Sequence, residues 1–317
     1  MDRPSEVHAA LWYRRFGRPV EVLSLERVDP PALSDGLVRV RMTAAAINPS
    51  DLIPITGAYR HRVQPPRVAG YEGVGVIVEA DDPNLVGRRA LPLRGDGAWQ
   101  SFVQVDPQRL ILVADDVPDE VAARAYINPM AARLMLDAWP TADRRVLLTA
   151  GGSSCARLLG AWALAEGACE VVAVHRSPVH ADSLAGLGFR PVAEDDPALP
   201  VIARECDLVF DAVGGEVAGA ILSSMAHGDF ISYGLLSGRP FAWRTEGVGT
   251  HRFHLRDRLE TMTDSVWRAS FDRLWPLLRA ADMPAVRRYP LADWRAALKA
   301  FDQPGRTFKP MLTFGSE

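Results

Sequence analysis

Val146-Leu147-Leu148-Thr149-Ala150-Gly151-Gly152-Ser153-Ser154-Cys155-Ala156 decides how this chain folds. Its apolar start reads as a buried strand, its small residues as a tight turn, and the stretch from about Ala156 to Glu166 as a helix. The same alternation repeats outward from it. Val171-Val172-Ala173-Val174 predicts the next strand, about Val179 to Leu187 the next helix, and Leu208-Val209-Phe210-Asp211 a further strand. On the N-terminal side, Asp119-Glu120-Val121-Ala122-Ala123 opens helically, and a longer helix runs from Met130 to Ala138 after Asn128-Pro129. Strands separated by helices of this length cannot pair as hairpins, so they imply parallel βαβ units with helices on both faces of a sheet. This part of the chain is a doubly wound α/β domain.

The chain before it has a different character. From Val7 to about Val117 the pattern is short and strand-like: Leu37-Val38-Arg39-Val40-Arg41-Met42 alternates apolar and polar, Val74 to Val78 is apolar and β-branched, and Pro and Gly turns break the runs. After Ile231-Ser232-Tyr233-Gly234, an amphipathic stretch from about Leu255 to Ala281 predicts one or two helices. Tyr289-Pro290-Leu291, a short helix around Trp294–Ala300 and a last strand Lys309–Phe314 complete the chain. A length of 317 residues exceeds what one hydrophobic core usually supports. Two domains are expected, with a cleft between them.

Composition narrows the function. Apolar residues make up 48% and charged residues 24%, which suits a soluble globular chain, and a formal net charge of −3 lacks the basic excess of a nucleic-acid protein. No apolar run approaches the ~18 residues that cross a bilayer, and the polar N-terminus has no signal-peptide core. Cys155, Cys169 and Cys206 are odd in number and outside metal-ligand spacing, which points to a reducing, cytoplasmic compartment and to no bound metal. His251 and His254 lie close together, but no third ligand accompanies them. Lys299 and Lys309 are the only lysines, so a single arginine in this chain carries little functional weight by itself.

The turn at Ala150–Ala156 fits a dinucleotide. Small residues let the backbone approach a pyrophosphate, and the helix that follows presents N–H donors and a positive dipole end. Ser153 and Ser154 replace the usual glycine pair, and Ala156 stands for the glycine that allows close helix packing. At the end of the next strand, His175-Arg176-Ser177 has no carboxylate to hold a ribose 2′-hydroxyl, whereas Arg176 offers a planar fork of donors to a 2′-phosphate. NADP(H) is therefore expected over NAD(H), the competing reading being a solvated arginine.

The chain resembles the medium-chain dehydrogenase/reductase superfamily in its zinc-free quinone-reductase and enoyl-thioester-reductase branch. Ala45-Ala46-Ile47-Asn48-Pro49-Ser50-Asp51, Gly70-Tyr71-Glu72-Gly73-Val74-Gly75, Gly97-Ala98-Trp99, Asn128-Pro129, the nucleotide turn, Asp211-Ala212-Val213-Gly214-Gly215 and Tyr233-Gly234 carry the resemblance, in order, over nearly the whole length. It implies a Rossmann domain binding NADP over residues 119–261, and a mainly β, GroES-like catalytic domain formed by 1–118 and 262–317. Zinc alcohol dehydrogenases carry cysteine near Asn48 and histidine where this chain has Tyr71, so zinc chemistry is not expected. Asn48-Pro49-Ser50-Asp51 through Gly57-Ala58-Tyr59 looks most like the mitochondrial-type trans-2-enoyl-thioester reductases, in which the matching tyrosine is the proton donor. Tyr59 is the catalytic candidate on that resemblance. It also implies cofactor contacts from Asn128, Gly152-Ser153-Ser154-Cys155, Arg176, Tyr233-Gly234-Leu235-Leu236, Phe253-His254-Leu255 and Lys309, and a homodimer. Ala131, where the family usually has Thr, and His254, where it usually has Trp, depart from the pattern.

The expected reaction is NADPH-dependent reduction of an activated carbon–carbon double bond in an enoyl thioester or related enone, with Tyr59 donating a proton or stabilising the oxyanion. Two alternatives stand beside it: an NADPH:quinone oxidoreductase, and a non-catalytic NADPH-binding sensor. The plain reading of Tyr59 is an amphipathic side chain capping a loop. Asn48 and Asp51 have a structural explanation as turn residues around Pro49, and Glu72 reads as a relic of the zinc branch or a buried hydrogen-bonding group. Arg60, His61, Arg62 and Arg67 could meet the phosphates of an acyl carrier or form a solvated loop.

Overall fold

Alternation of buried and exposed side chains builds the first strands. The computed structural model describes residues 7–315 except 96, 244 and 245. β1 (His8–Tyr13) turns through the short helix α1 (Pro19–Val22) into β2 (Leu23–Val28), and the two pair antiparallel. β3 (Val38–Ala46) buries Val38, Val40, Met42, Ala44, Ala45 and Ala46. α2 (Pro49–Leu52) and a single 3-10 turn (Ile53–Thr56) follow it, leading to β4 (Arg67–Val68), β5 (Val74–Glu79), β6 (Arg89–Leu91), β7 (Phe102–Val105), β8 (Ile111–Leu112) and α3 (Asp119–Ala122).

The glycine-rich stretch Gly70–Gly75 joins two strands that do not pair with each other. β4 pairs with β1 in a three-stranded sheet ordered β2-β1-β4, while β5 pairs with β3 in another sheet, so this stretch carries the chain from one sheet to the next. Its glycines answer to packing. Gly70 has φ +89°, and a Cβ there would lie 2.3 Å from Trp99; a Cβ on Gly75 would lie 2.3 Å from the Arg41 carbonyl.

α4 (Ile127–Ala138) begins the alternating part: β9 (Arg145–Leu148), α5 (Ser154–Ala165), β10 (Glu170–His175), α6 (Ala181–Gly186), β11 (Arg190–Ala193), α7 (Leu199–Arg204), β12 (Leu208–Asp211), α8 (Gly215–Ser224), β13 (Asp229–Ser232), β14 (Gly249–Arg252) and α9 (Leu255–Glu260). Every pairing in this sheet is parallel, and its order is β11-β10-β9-β12-β13-β14. Numbered along the sheet's own strands that order is 3-2-1-4-5-6, the arrangement of a doubly wound nucleotide-binding fold. Strands buried on both faces explain the continuous apolar runs: β12 is buried throughout, and Val171–Val174 of β10 likewise.

α10 (Asp264–Ala280), β15 (Val286–Pro290), α11 (Trp294–Phe301) and β16 (Lys309–Thr313) end the chain. The amphipathic stretch read from sequence is thus two helices, α9 and α10. β16 pairs antiparallel with β3 and parallel with β15, giving a sheet ordered β15-β16-β3-β5-β6-β8 with β7 also on β3. The chain divides into two units, each with its own core. The first holds the described residues to Ile127, Met262–Ala280 and those from Ala285 onward; the second holds Asn128–Thr261 and Ala281–Pro284. In the first, Leu11, Val40, Met42, Ile77, Trp99, Trp294 and Leu312 are buried together. In the second, Leu147, Val172, Val209, Ile221 and Phe230 form the centre.

Candidate functional site

In the second unit, the expected cofactor residues other than Asn128 in α4 and Leu255 in α9 lie at or just after the carboxyl ends of the parallel strands. The carboxyl ends of β9, β10, β12, β13 and β14 lead into 149–153, Arg176, 212–214, Tyr233–Leu236 and Phe253–His254. The β9–β12 neighbour pair is where strand order reverses, which is where open α/β sheets leave a crevice for a ligand.

Local chemistry shapes the turn after β9. Ala150 has φ +50°, Gly151 N–H donates to Val174 O at 2.8 Å, and Ser153 N–H donates to Ala150 O at 2.8 Å. Ser153 caps α5, its hydroxyl accepting the Ala156 N–H at 3.2 Å. That leaves the first N–H groups of the helix, at Ser154 and Cys155, without intrahelical acceptors. A Cβ on Gly151 would stand 2.9 Å from Ala173, and one on Gly152 2.7 Å from the His180 ring, so both glycines are required by the protein's own packing. The close-packing glycine sought at Ala156 sits one turn later. Ala156 is fully buried with its methyl accommodated, whereas a Cβ on Gly160 would come within 2.6 Å of Phe189 and 2.9 Å of Leu148.

Asp211, which the sequence marked only as part of a motif, organises this edge. Its carboxylate accepts the Thr149 hydroxyl at 2.7 Å, the Val213 N–H at 3.1 Å and the Gly214 N–H at 3.0 Å, and Thr149 in turn accepts the Ala212 N–H at 2.8 Å. Burial pushes the Asp211 carboxyl up from the ordinary range. The signal was present: an aspartate closing an apolar strand just before Gly214-Gly215.

Tyr233 N–H donates to Asp211 O at 2.8 Å, and the Tyr233 hydroxyl is buried beside Cys155 and Ser153 with no partner at normal hydrogen-bond geometry. Burial drives its pKa well up, and that of the Cys155 thiol to about 12, so neither is a nucleophile or base near neutrality. The Cys155 thiol approaches the Asn128 carbonyl at 3.8 Å, which gathers Asn128, Ser153, Cys155 and Tyr233 in one place. Gly234 is required because a Cβ would lie 2.7 Å from Ala212 O. Leu235 and Leu236 are exposed, Phe253 is buried, and His254 lies 3.7 Å from Asp257 as the residue before α9. Arg176 is exposed, directly after β10, whose Ala173 faces Leu148 of β9. A buried tyrosine hydroxyl beside the turn, helix-terminal N–H donors and an exposed arginine on the adjacent strand end fit a phosphorylated dinucleotide.

The first unit holds the remaining two candidates. α2, the 3-10 turn and Gly57 (φ +86°) lead to Tyr59; a Cβ on Gly57 would meet the Phe16 ring at 3.1 Å. Tyr59 is half-buried, its carbonyl accepts the N–H groups of Arg62 and Val63 at 2.8 and 2.9 Å, and His61 stands edge-on at 6.3 Å. Arg60, His61, Arg62 and Arg67 are exposed. Lys309 is buried: its ammonium donates to Asn48 Oδ1 at 2.5 Å, and Asn48 Nδ2 donates to Glu72 Oε1 at 2.6 Å. Glu72 also accepts the Tyr126 and Ile127 N–H groups at 3.2 and 2.8 Å. Asp51 accepts the N–H groups of Asn48 at 2.6 Å and Tyr71 at 2.8 Å. Burial, then the neighbouring Glu72, pushes Asp51 up to about 7; burial raises Glu72 and brings Lys309 down to about 8. Among the described residues no group of three or more His, Cys, Asp or Glu side chains could hold a metal ion, and no helix is long and apolar enough to cross a membrane.

Known proteins share this architecture. The model of the alcohol dehydrogenase GroES-like domain matches residues 34–115. The mitochondrial enoyl-[acyl-carrier-protein] reductase of Bos taurus is 28% identical over 335 aligned residues, covering 98% of this chain and 89% of that protein. A Bacillus thuringiensis protein assigned as an NADPH:quinone reductase superposes with a TM-score of 0.91 at 31% identity, covering 98% of this chain and 99% of its own. A mycobacterial structure complexed with NADPH superposes with a TM-score of 0.85 at 23% identity over 96% of this chain and 99% of its own, a likeness of fold.

Proposed function

We propose that this chain, which belongs to the medium-chain dehydrogenase/reductase superfamily in its zinc-free enoyl- and quinone-reductase branch, reduces the activated carbon–carbon double bond of a 2-enoyl thioester or related enone. It is an NADPH-dependent oxidoreductase. The observation that carries the reading is the array on the carboxyl edge of the parallel sheet: the Ser153-capped helix N-terminus, the buried Tyr233 hydroxyl and exposed Arg176. In this reading Ser154 and Cys155 N–H groups hold the pyrophosphate, Arg176 holds the 2′-phosphate, and Asn128, Gly152, Ser153, Tyr233–Leu236 and Phe253–Leu255 line the remainder.

When bound, the reduced nicotinamide supplies a hydride to the β-carbon of the unsaturated carbonyl. Tyr59 then hydrogen-bonds the carbonyl oxygen as negative charge builds there, or delivers a proton to the α-carbon. The near full-length similarity to a mitochondrial enoyl-[acyl-carrier-protein] reductase supports the thioester. A quinone as acceptor is the second reading, supported by the Bacillus thuringiensis relative. A homodimer and a cytoplasmic location complete the proposal; light scattering at twice 34.7 kDa checks the first.

NADPH oxidation measured against enoyl-CoAs, quinones and enals tests the function. Turnover of enoyl-CoAs that falls by about 10²–10⁴ in Tyr59→Phe, with NADPH still bound, is the expected result. Quinone turnover indifferent to Tyr59→Phe, without enoyl-CoA turnover, replaces it with the second reading. NADPH binding with no turnover on the whole panel leaves a sensor.

A further inference from the structure

The first unit buries an ionic cluster for which the reaction above has no use. Four stretches far apart in sequence meet in it: Asn48–Asp51, Tyr71–Glu72, Tyr126–Ile127 and Lys309. Lys309, Glu72, Asp51 and Asn48 are each no more than 4% exposed. Burying charges of this kind is costly unless they are paired and hydrogen-bonded, so the geometry of the pairing is informative.

Asn48 is the bridge. Its Oδ1 accepts from the Lys309 ammonium and its Nδ2 donates to Glu72, and turning the amide over would set donor against donor and acceptor against acceptor. The charges on either side therefore fix the carboxamide. Asn48 is also the residue before α2, its N–H held by Asp51, and α2 leads through the 3-10 turn and Gly57 to Tyr59. Asp51 in turn holds the Tyr71 N–H. The electrostatic surroundings of Lys309 are mixed: Glu72 and Asp51 favour its charge, Arg306 and Arg124 oppose it. Arg124 and Arg306 spend donors on the backbone carbonyls of Glu120, Phe301 and Phe308. Lys309 donates to the bridging amide, and Arg124 also feels the charge of Glu72.

We propose that Lys309 is an internal counter-cation of this cluster and, through Asn48, a positioning residue for the segment that carries Tyr59, in place of the cofactor contact implied by family resemblance. The catalytic half of this inference rests on the reading of Tyr59; the positioning half does not. Loss of the ammonium removes the hydrogen bond to Asn48 Oδ1 and the largest favourable charge acting on Glu72, so the turn loosens at its root.

The test compares Lys309→Met, Glu72→Gln and the double variant with wild type and Tyr59→Phe. Hydrogen exchange over residues 48–63 reads positioning without any turnover. In Lys309→Met this segment is expected to exchange about tenfold or more faster, while kcat falls by about tenfold or more and the KM for NADPH stays within about twofold. The double variant, with a neutral pair, is expected to regain the unfolding midpoint lost in Lys309→Met, and it keeps the test alive if the single variant does not fold. A rise of about tenfold in the KM for NADPH at unchanged kcat makes Lys309 a cofactor contact and overturns the proposal. Unchanged exchange over 48–63 overturns it as well. If Tyr59→Phe turns over normally while exchange rises in Lys309→Met, the role of Tyr59 fails and the positioning role stands.

Discussion

Replacing Asp51 by Asn should change the pH dependence of stability in a way set by its burial. The Asp51 carboxyl has an ordinary value of 3.8 and rises to about 7 in the fold, because burial and then Glu72 disfavour its charge against the opposing pull of Asn48 N–H, Lys309 and Tyr71 N–H. A folded pKa above the unfolded one means the folded state binds the extra proton. Its stabilising contribution is complete below pH ~4 and is lost as the pH climbs through ~7. Three units at about 1.36 kcal/mol each give an upper figure near 4 kcal/mol, and relaxation around Glu72 and Lys309 brings the expected loss to about 2–4 kcal/mol. The Asn variant does not titrate. It surrenders one of the two acceptors that serve the Asn48 and Tyr71 N–H groups, a cost of about 1–3 kcal/mol that is the same at every pH. Urea unfolding followed by tryptophan fluorescence suits the measurement, since the fully buried Trp99, Trp267 and Trp294 belong to the same unit as Asp51. Wild-type stability minus that of Asp51→Asn should fall by about 2–4 kcal/mol between pH ~4 and pH ~8. A difference that stays level within about 1 kcal/mol across that range refutes the argument that Asp51 titrates inside the fold.

Arg176→Ala should raise the KM for NADPH about 10–100-fold and leave that for NADH unchanged, as expected for losing charge-assisted hydrogen bonds worth about 1.5–3 kcal/mol; an equal effect on both cofactors removes Arg176 from the 2′-phosphate. Gly160→Ala should destabilise by about 1–3 kcal/mol, since its methyl would overlap Phe189 and Leu148, whereas Ala156→Gly should cost only about 1 kcal/mol of helix propensity; thermal unfolding of both variants checks the order. Asp211→Asn turns one acceptor of the Val213, Gly214 and Thr149 donors into a donor. It should lower stability by about 1–3 kcal/mol and weaken NADPH binding. Intact binding with lowered stability would confine Asp211 to a scaffold role.

Much of the nucleotide half was legible because its determinants are local. A strand, a small-residue turn and a helix are written consecutively in Val146–Glu166, and the alternation that follows permits only a parallel sheet. The helix at Gly215–Ser224 and the strand at Gly249–Arg252 carried weaker patterns, and the structure supplies both. Arg176 could be placed at a strand end by counting. The close-packing glycine could not: whether position 156 or 160 meets a neighbour depends on where Phe189 packs, and that residue arrives from a different βαβ unit.

The order of the chain alone determined a doubly wound domain and a mainly β one, and a small-residue turn between the strand at Val146–Thr149 and the helix after it, since each depends on residues a few positions apart. Tertiary structure decided the rest. Gly70–Gly75 links two sheets because β4 and β5 find different partners. Lys309 meets Asn48 across 261 positions of sequence because β16 lies antiparallel to β3. A buried charge selects its partners by proximity in low dielectric, and that proximity exists only once β16 has paired with β3.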